Sequence, residues 1–417
     1  MTKRYDELFI KRSKEPLKGI SSSDFLELVR PKVEVALTWE DLKKKLERKK
    51  TLNVKLGIDP TGSELHLGHL VPVILLDLFA RAGHHIDLVI GDFTARVGDP
   101  SGRETSRQAL TASEIEKNFS SYKDQIKKYI DVSKITLRRN SEWLENMNLG
   151  DFFAIIQRIS LSDASQREDF RARTKNNQGV SLAEACYGVL MGLDSVSLLS
   201  DVELGGIDQL LNFGQCRSVQ EISGMEKEAA LTTPILEGTS GDGKKMSKSL
   251  DNYIALDSAS SEKFGKIMSI PDELIVPYFK SFAIIREDEI PEIERLTNNN
   301  PLEAKKQLAT FIASLGEEDL SQGEKERTLF EDTFSQGRVS EEKILELKGG
   351  LNTSLFDALN ESGHFKSKSE LRRLFSQNAV TVRDGSGEKI LKETNTLGEI
   401  SGIVRVGKRK FFKIIAD

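Results

Sequence analysis

Cysteine is scarce. The 417-residue chain has two, Cys186 and Cys216, far apart and without a Cys-x-x-Cys pair. That usage fits a reducing cytosol and leaves no zinc-site spacing. Long apolar runs are missing too. The longest, Leu70 to Phe79, is interrupted by Asp77 and falls well short of the roughly 20 residues that span a bilayer. The charged N-terminus lacks an apolar signal core, so a cytoplasmic location is expected. There is no internal repeat and no low-complexity tract.

What is present is an ordinary globular composition, 38% hydrophobic and 30% charged. At this length two or three domains are expected. The net charge of −5 hides an asymmetry. His364 to Asp417 carries 12 Lys and Arg against 6 Asp and Glu, a net of +6, which leaves −11 on the rest. A basic module on an acidic body points to a polyanionic partner; the alternative is a solvated basic face.

The first ~40 residues read as a charged helical extension. Val54 to Ile58 reads as a strand, followed by the turn Asp59-Pro60-Thr61-Gly62 and a helix from near Leu65 to Leu78, with Ser63 as its N-cap. A second strand follows at Ile86 to Ile90. This βαβ order predicts a Rossmann-type, doubly wound parallel α/β sheet. Residues 112 to 180 are polar and read as a helical insertion with few strand signals. Ser181 to Leu190 reads as helix and Ser195 to Leu199 as an apolar strand. Gly205-Gly206 then marks a turn before a helix near Asp208. Ser260 to Lys348 reads as helices, with turns at Pro271, Pro291 and Pro301. A helix at Lys368 to Ser376 and β segments at Ile403 to Val406 and Phe411 to Ile415 complete a small α+β module. The expected domains are a 1–40 extension, a 41–255 catalytic domain with its insertion at about 112–180, a 256–345 α-helical domain and a 350–417 basic module.

Two constellations carry chemistry. Thr61-Gly62-Ser63-Glu64-Leu65-His66-Leu67-Gly68-His69 follows a strand and opens a helix, where unpaired N–H groups favour an anion. His66 and His69 share a helix face, and their ring N–H groups can reach phosphate oxygens as charge builds. Gly68 between them lets a flat ring or sugar come close. The alternative is a pair of capping histidines. The second constellation, Lys244-Lys245-Met246-Ser247-Lys248-Ser249, follows the flexible Gly241-Asp242-Gly243. Mobile lysines can close on a triphosphate; a solvated basic loop is the alternative.

Together, His-Leu-Gly-His and Lys-Met-Ser-Lys-Ser resemble the paired signatures of class I aminoacyl-tRNA synthetases. Further segments resemble the bacterial tyrosyl branch: Gly98-Asp99-Pro100-Ser101-Gly102-Arg103 with Arg107, Asp201 to Gln209, and Phe264 to Ser269. So do Ser367 to Leu374 and Val406 to Phe411, similar to a small RNA-binding module. There Ser367 and Glu370 form a capping box. The resemblance covers roughly residues 40 to 417.

That resemblance implies ATP-dependent activation of tyrosine to an adenylate, then transfer to tRNA, with Mg²⁺ held mostly by the nucleotide. By it, Thr61, His66, His69, Lys245 and Lys248 serve the phosphates, and Arg103 and Arg107 the pyrophosphate. Gly68 and Gly206 line the nucleotide, and Asp208 takes the ribose diol. Asp99 and Tyr187 grip the substrate ammonium, Gln209 its carboxylate end, and Asp194 accepts the tyrosine hydroxyl. Tyr187, Met191 and Asp194 fall at i, i+4 and i+7, one helix face. Lys368, Arg372, Arg373, Lys408, Arg409 and Lys410 are the expected RNA contacts, the helical domain is expected to bind the anticodon, and a homodimer is implied. The chain departs from the pattern at Met191, usually glutamine, at Leu193, often tyrosine, and at Lys55, tyrosine in one branch and lysine in another. A thioether cannot donate an amide hydrogen bond. A paralogue selective for another amino acid and a silent RNA-binding relative therefore stay open, as does a tryptophanyl enzyme.

Overall fold

The computed structural model describes residues 4–60, 62–99, 111–160, 168–176, 179–335, 344–365, 367–384, 387–407 and 410–416. The chain divides into two compact units, Met1–Glu326 and Arg327–Asp417.

The first unit begins with α1 (Tyr5–Arg12). Its Phe9 ring lies 5.7 Å from Phe279 and 6.2 Å from Phe311, so α1 is fixed by aromatic burial. The first forty residues also hold a strand, β1 (Val35–Leu37). Next come β2 (Asn53–Ile58), α2 (Leu67–Ala82) and β3 (His85–Ile90). They are followed by α3 (Ala112–Ile126), β4 (Thr136–Arg139), α4 (Leu149–Ile156), α5 (Tyr187–Ser197) and β5 (Val202–Gly206). The sheet part closes with α6 (Leu210–Ile222) and β6 (Ala229–Thr233). A helical region includes α7 (Ile275–Phe282) and α8 (Pro301–Ala313).

Among the described residues, six strands form one sheet in the order β1-β6-β5-β2-β3-β4. Only β1 runs antiparallel, against β6; the other neighbours are parallel. Strand order reverses at β2, whose neighbours β3 and β5 are reached in opposite directions. The carboxyl ends of β2 and β5 therefore flank a switch-point crevice, the usual ligand site of such sheets.

Four expectations are corrected. Ser195 to Leu199 is not a strand: it is the end of α5 and the turn after it, and the strand lies at Val202–Gly206. Most residues of α5 are buried, so it lacks the polar stripe that marks a helix in sequence. The 112–180 segment is not purely helical, because β4 pairs with β3 at the sheet edge. Its sequence, Thr-Leu-Arg-Arg, is half-exposed and lacks apolar alternation. The helical reading to Lys348 ends early, since β7 (Ile344–Gly349) is a strand. The N-cap of α2 is His66 rather than Ser63. The Ser63 carbonyl instead accepts Gln125 Nε2–H from α3 at 2.9 Å.

The second unit contains α9 (Leu355–Glu361) and α10 (Lys368–Ser376). Its strands β8 (Val380–Asp384), β9 (Gly387–Ile390), β10 (Ile403–Val406) and β11 (Lys410–Ala416) join β7 in the order β7-β11-β10-β8-β9. Leu355, Leu359, Leu371, Val404 and Phe412 form its core. Ser367 Oγ accepts the Glu370 N–H at 3.2 Å and starts α10.

Candidate active site

The crevice at the switch point is a cleft of ≈ 420 Å³. The first signature segment pairs through its backbone with residues 254–256, just after the lysine loop. Leu67 N–H donates to Ile254 O and Leu256 N–H to Leu65 O, both at 2.9 Å. The lysine loop is joined to the segment after β6 by Met246 N–H on Leu236 O at 2.8 Å. Asn252, almost fully buried, staples the loop internally: its Oδ1 accepts the Ser247 N–H at 2.8 Å and its Nδ2 donates to Lys245 O at 3.2 Å.

His66 and His69 form a reciprocal cap at the start of α2. His66 Nδ1 accepts the Gly68 N–H, and His69 Nδ1 accepts the His66 N–H, each at 3.2 Å. Both rings line the cleft, with centroids 3.9 Å apart. Burial, then His69 and the two signature lysines, lowers His66 to about 3. Burial, then Lys248, lowers His69 to about 4. Both rings are therefore neutral at pH 7. With Nδ1 accepting, the ring proton sits on Nε2 as a donor. Lys245 lines the cleft, while Lys248 Nζ rests on the rim 3.5 Å from Glu64 Oε2.

Asp99, Gly206, Asp208 and Gln209 also line the cleft, and Gln209 Nε2–H donates to Asp99 Oδ2 at 2.8 Å. A Cβ at Gly206 would stand 2.5 Å from Asp208 Oδ1, so a side chain there would have to displace that carboxylate. Thr61, Arg103 and Arg107 lie outside the described residues.

The inner end of the cleft is built on α5. Tyr187, Met191 and Asp194 all reach it, and the strand β2 forms the facing wall. Gly192 lets α5 press against α6: a Cβ would stand 2.8 Å from Val219. Asp194 is buried; Oδ1 accepts Trp143 Nε1–H at 2.8 Å and Oδ2 accepts Asn140 Nδ2–H at 3.4 Å. Burial raises its carboxyl, Lys55 and these two donors pull it back, and it stands at about 6.

Two cleft groups, Asp59 and Asn140, and one partner of a cleft group, Trp143, escaped the sequence reading. Asp59 accepts Tyr187 O–H at 3.0 Å and Thr94 Oγ1–H at 2.9 Å. Burial, reinforced by Asp99, raises Asp59 to about 7. Its signal was its place directly after β2, where a switch-point strand ends. Asn140 and Trp143 lie just beyond β4, so missing that strand hid them. Lys55, flagged in the sequence, is absent from the cleft wall and points into the layer behind it.

In the second unit, Lys368, Arg372 and Arg373 are exposed on α10. Lys410 Nζ lies 4.1 Å from the Phe365 ring centroid and Arg372 lies 5.5 Å from that of Phe356. Lys408 and Arg409 lie outside the described residues.

A parallel sheet, a switch-point cleft and neutral histidines beside a lysine loop define a nucleotide-handling enzyme of the Rossmann type. The family model described as tRNA synthetases class I (W and Y) matches residues 46–382. The tyrosine–tRNA ligase of Thermotoga maritima is 40% identical over 385 residues, 91% of this chain and 94% of that protein. That of Symbiobacterium thermophilum is 40% identical over 387 residues, 90% and 93% of the two chains. The solved tyrosyl-tRNA synthetase of Archaeoglobus fulgidus, complexed with L-tyrosine, matches with TM-score 0.59 at 23% identity, over 73% of this chain and 99% of that one. The chain belongs to the class I tRNA synthetases of the tryptophan and tyrosine group.

Proposed function

We propose that this synthetase activates tyrosine with ATP and transfers it to tRNA. The observation that carries this reading is one cleft holding three recognition groups: neutral histidine donors, the Asp59–Asp99–Tyr187 cluster and the inner carboxylate Asp194. A phenolic amino acid matches that spacing of demands. Its ammonium needs carboxylates, its hydroxyl needs a buried acceptor, and its carboxylate must point to the phosphates.

In the reaction the substrate carboxylate attacks the ATP α-phosphorus, the α–β phosphoanhydride bond breaks and pyrophosphate leaves. A tRNA 3′-terminal ribose hydroxyl then attacks the adenylate carbonyl and releases AMP. No protein nucleophile is needed; alignment and charge stabilisation do the work. His66 and His69 donate Nε2–H to phosphate oxygens, and Lys245, Lys248, Thr61, Arg103 and Arg107 offset charge on the leaving pyrophosphate. Gly68 and Gly206 admit the nucleotide and Asp208 holds its ribose. Asp99, Asp59 and Tyr187 hold the ammonium, Gln209 orients the carboxylate end, and Met191 packs beside them. Magnesium enters with the nucleotide as part of that substrate. Among the described residues the one cluster of three metal-type donors is Glu203, Cys216 and Glu228. It lies off the cleft wall and faces the Lys55 ammonium, so it does not fit the nucleotide's metal.

The basic module and the region around α7 and α8 bind tRNA in this reading, with Lys368, Arg372, Arg373 and Lys408 to Lys410 on the phosphates. The enzyme works as a cytoplasmic homodimer, and the exposed Leu149 and Phe153 on α4 are apolar surface available for pairing. Met191 favours a second reading, a paralogue preferring another amino acid, because it removes an amide from the ammonium site. Amino-acid-dependent ATP–pyrophosphate exchange separates the two: tyrosine stimulates exchange in the first and a different amino acid does so in the second.

A further inference from the structure

Lys55 sits on β2 opposite Glu203 of β5 and is 1% exposed. Its ammonium pairs with Glu203 Oε1 at 2.8 Å, donates to Ser195 Oγ at 2.7 Å and donates to the Met191 carbonyl at 3.0 Å. Ser195 Oγ in turn donates to Glu228 Oε1 at 3.1 Å. Burial, and then Glu203 beside it, push the Glu228 carboxyl well up. Burial works to lower Lys55, but Glu203 and the surrounding acids overcome it, and the ammonium stays charged.

These contacts grip α5 at two points one turn apart, Met191 and Ser195, and Asp194 lies between them. The charged and titratable groups facing Asp194 are Lys55 on β2, Asp59 after β2, Asp92 after β3 and Tyr187 on its own helix. Lys55 is the cation of that set. Asp92 opposes ionisation of Asp194, and Lys55 supports it.

We propose that Lys55 is a positioning residue for amino-acid selection: it clamps α5 through Met191 and Ser195, and its charge keeps Asp194 in the form that accepts a substrate hydroxyl. This rests on the tyrosine reading above. It turns the lysine at position 55 from a missing hydroxyl partner into the support of the remaining one. The electrostatic part needs no direct contact, because a buried charge is weakly screened.

The test is tyrosine-dependent pyrophosphate exchange between about pH 5 and 9. Lys55→Met alone would leave Glu203 buried without its counter-ion, so the pair Lys55→Met/Glu203→Gln keeps the layer neutral. Two carboxyls shape the acid limb of kcat/KM for tyrosine, Asp59 at about 7 and Asp194 at about 6; the lower one should move up by about one pH unit while the upper one holds. Tyrosine KM should rise ~10-fold, ATP KM should hold, and discrimination against phenylalanine should fall. Lys55→Arg keeps the charge but changes the clamp: it should raise tyrosine KM with the limb in place. A lower Tm with unchanged limb and unchanged tyrosine KM in the paired variant overturns the proposal, as does a shifted limb in Lys55→Arg. If the unsubstituted enzyme shows no tyrosine exchange, the substrate reading fails in the parent, and the proposal falls with it.

Discussion

His66 and His69 each accept a backbone N–H through Nδ1, so the two histidines cap α2 while each ring keeps its proton on Nε2 within the cleft. Capping and phosphate binding, alternatives in the sequence, are compatible on different nitrogens of the same rings. His66→Asn should therefore separate them. Asparagine is a good N-cap, so urea denaturation should show little lost stability. Exchange should fall by roughly 10²–10³, the loss typical of one charge-stabilising donor. His66→Ala should lose activity similarly and also ~1 kcal/mol of stability. Full exchange activity in His66→Asn would contradict the donor role.

Asp59 links substrate binding to pH. Its carboxyl stands at about 7 in the folded enzyme against 3.8 as the ordinary value. Between those values the folded state holds a proton that the unfolded state has released, so this group's contribution to stability declines as pH rises through that window. Asp59→Asn should equal the parent in stability near pH 4. It should exceed it above pH 7 by on the order of a few kcal/mol in urea titrations. The ammonium needs the ionised form, so parental tyrosine KM should rise as pH falls below about 7 while Asp59→Asn binds tyrosine poorly throughout. A parental KM flat across pH 6 to 8 would count against this role.

Met191 lines the cleft, at the position where the sequence resemblance implies glutamine. Met191→Gln should restore a polar partner near the ammonium and lower tyrosine KM ~10-fold, the scale of one hydrogen bond to a charged group. ATP KM should not move. An unchanged or higher tyrosine KM would show that the thioether fits a different ligand.

Lys368, Arg372 and Arg373 are exposed on α10. Changing all three to Glu should weaken tRNA charging and flatten its salt dependence, by a slope of roughly one per lost phosphate contact. Exchange without tRNA should be unaffected. Equal loss of both activities would place these residues in the fold instead.

The cleft was legible where chemistry demands specific residue types in a short run. His-Leu-Gly-His, Lys-Met-Ser-Lys-Ser and the helical spacing of Tyr187, Met191 and Asp194 all project to one cavity. What stayed hidden depends on long-range pairing. β1 and β4 are short edge strands that take their form from β6 and β3 rather than from their own alternation. The helix α5 was masked by burial on most sides, and its end read as a strand. Asn140 and Trp143 become visible as Asp194 partners only once β4 carries them to the sheet edge. The direction of Lys55, into the sheet's covered layer and away from the cleft, follows from the pleat of β2, which residue type alone does not reveal.

The central claim is tyrosine activation, and ATP–pyrophosphate exchange measured with each natural amino acid in turn tests it most directly. Tyrosine should stimulate exchange strongly, and phenylalanine should be rejected by roughly 10⁴ or more if Asp194 accepts the hydroxyl. Exchange driven by another amino acid, or by none, would contradict the account.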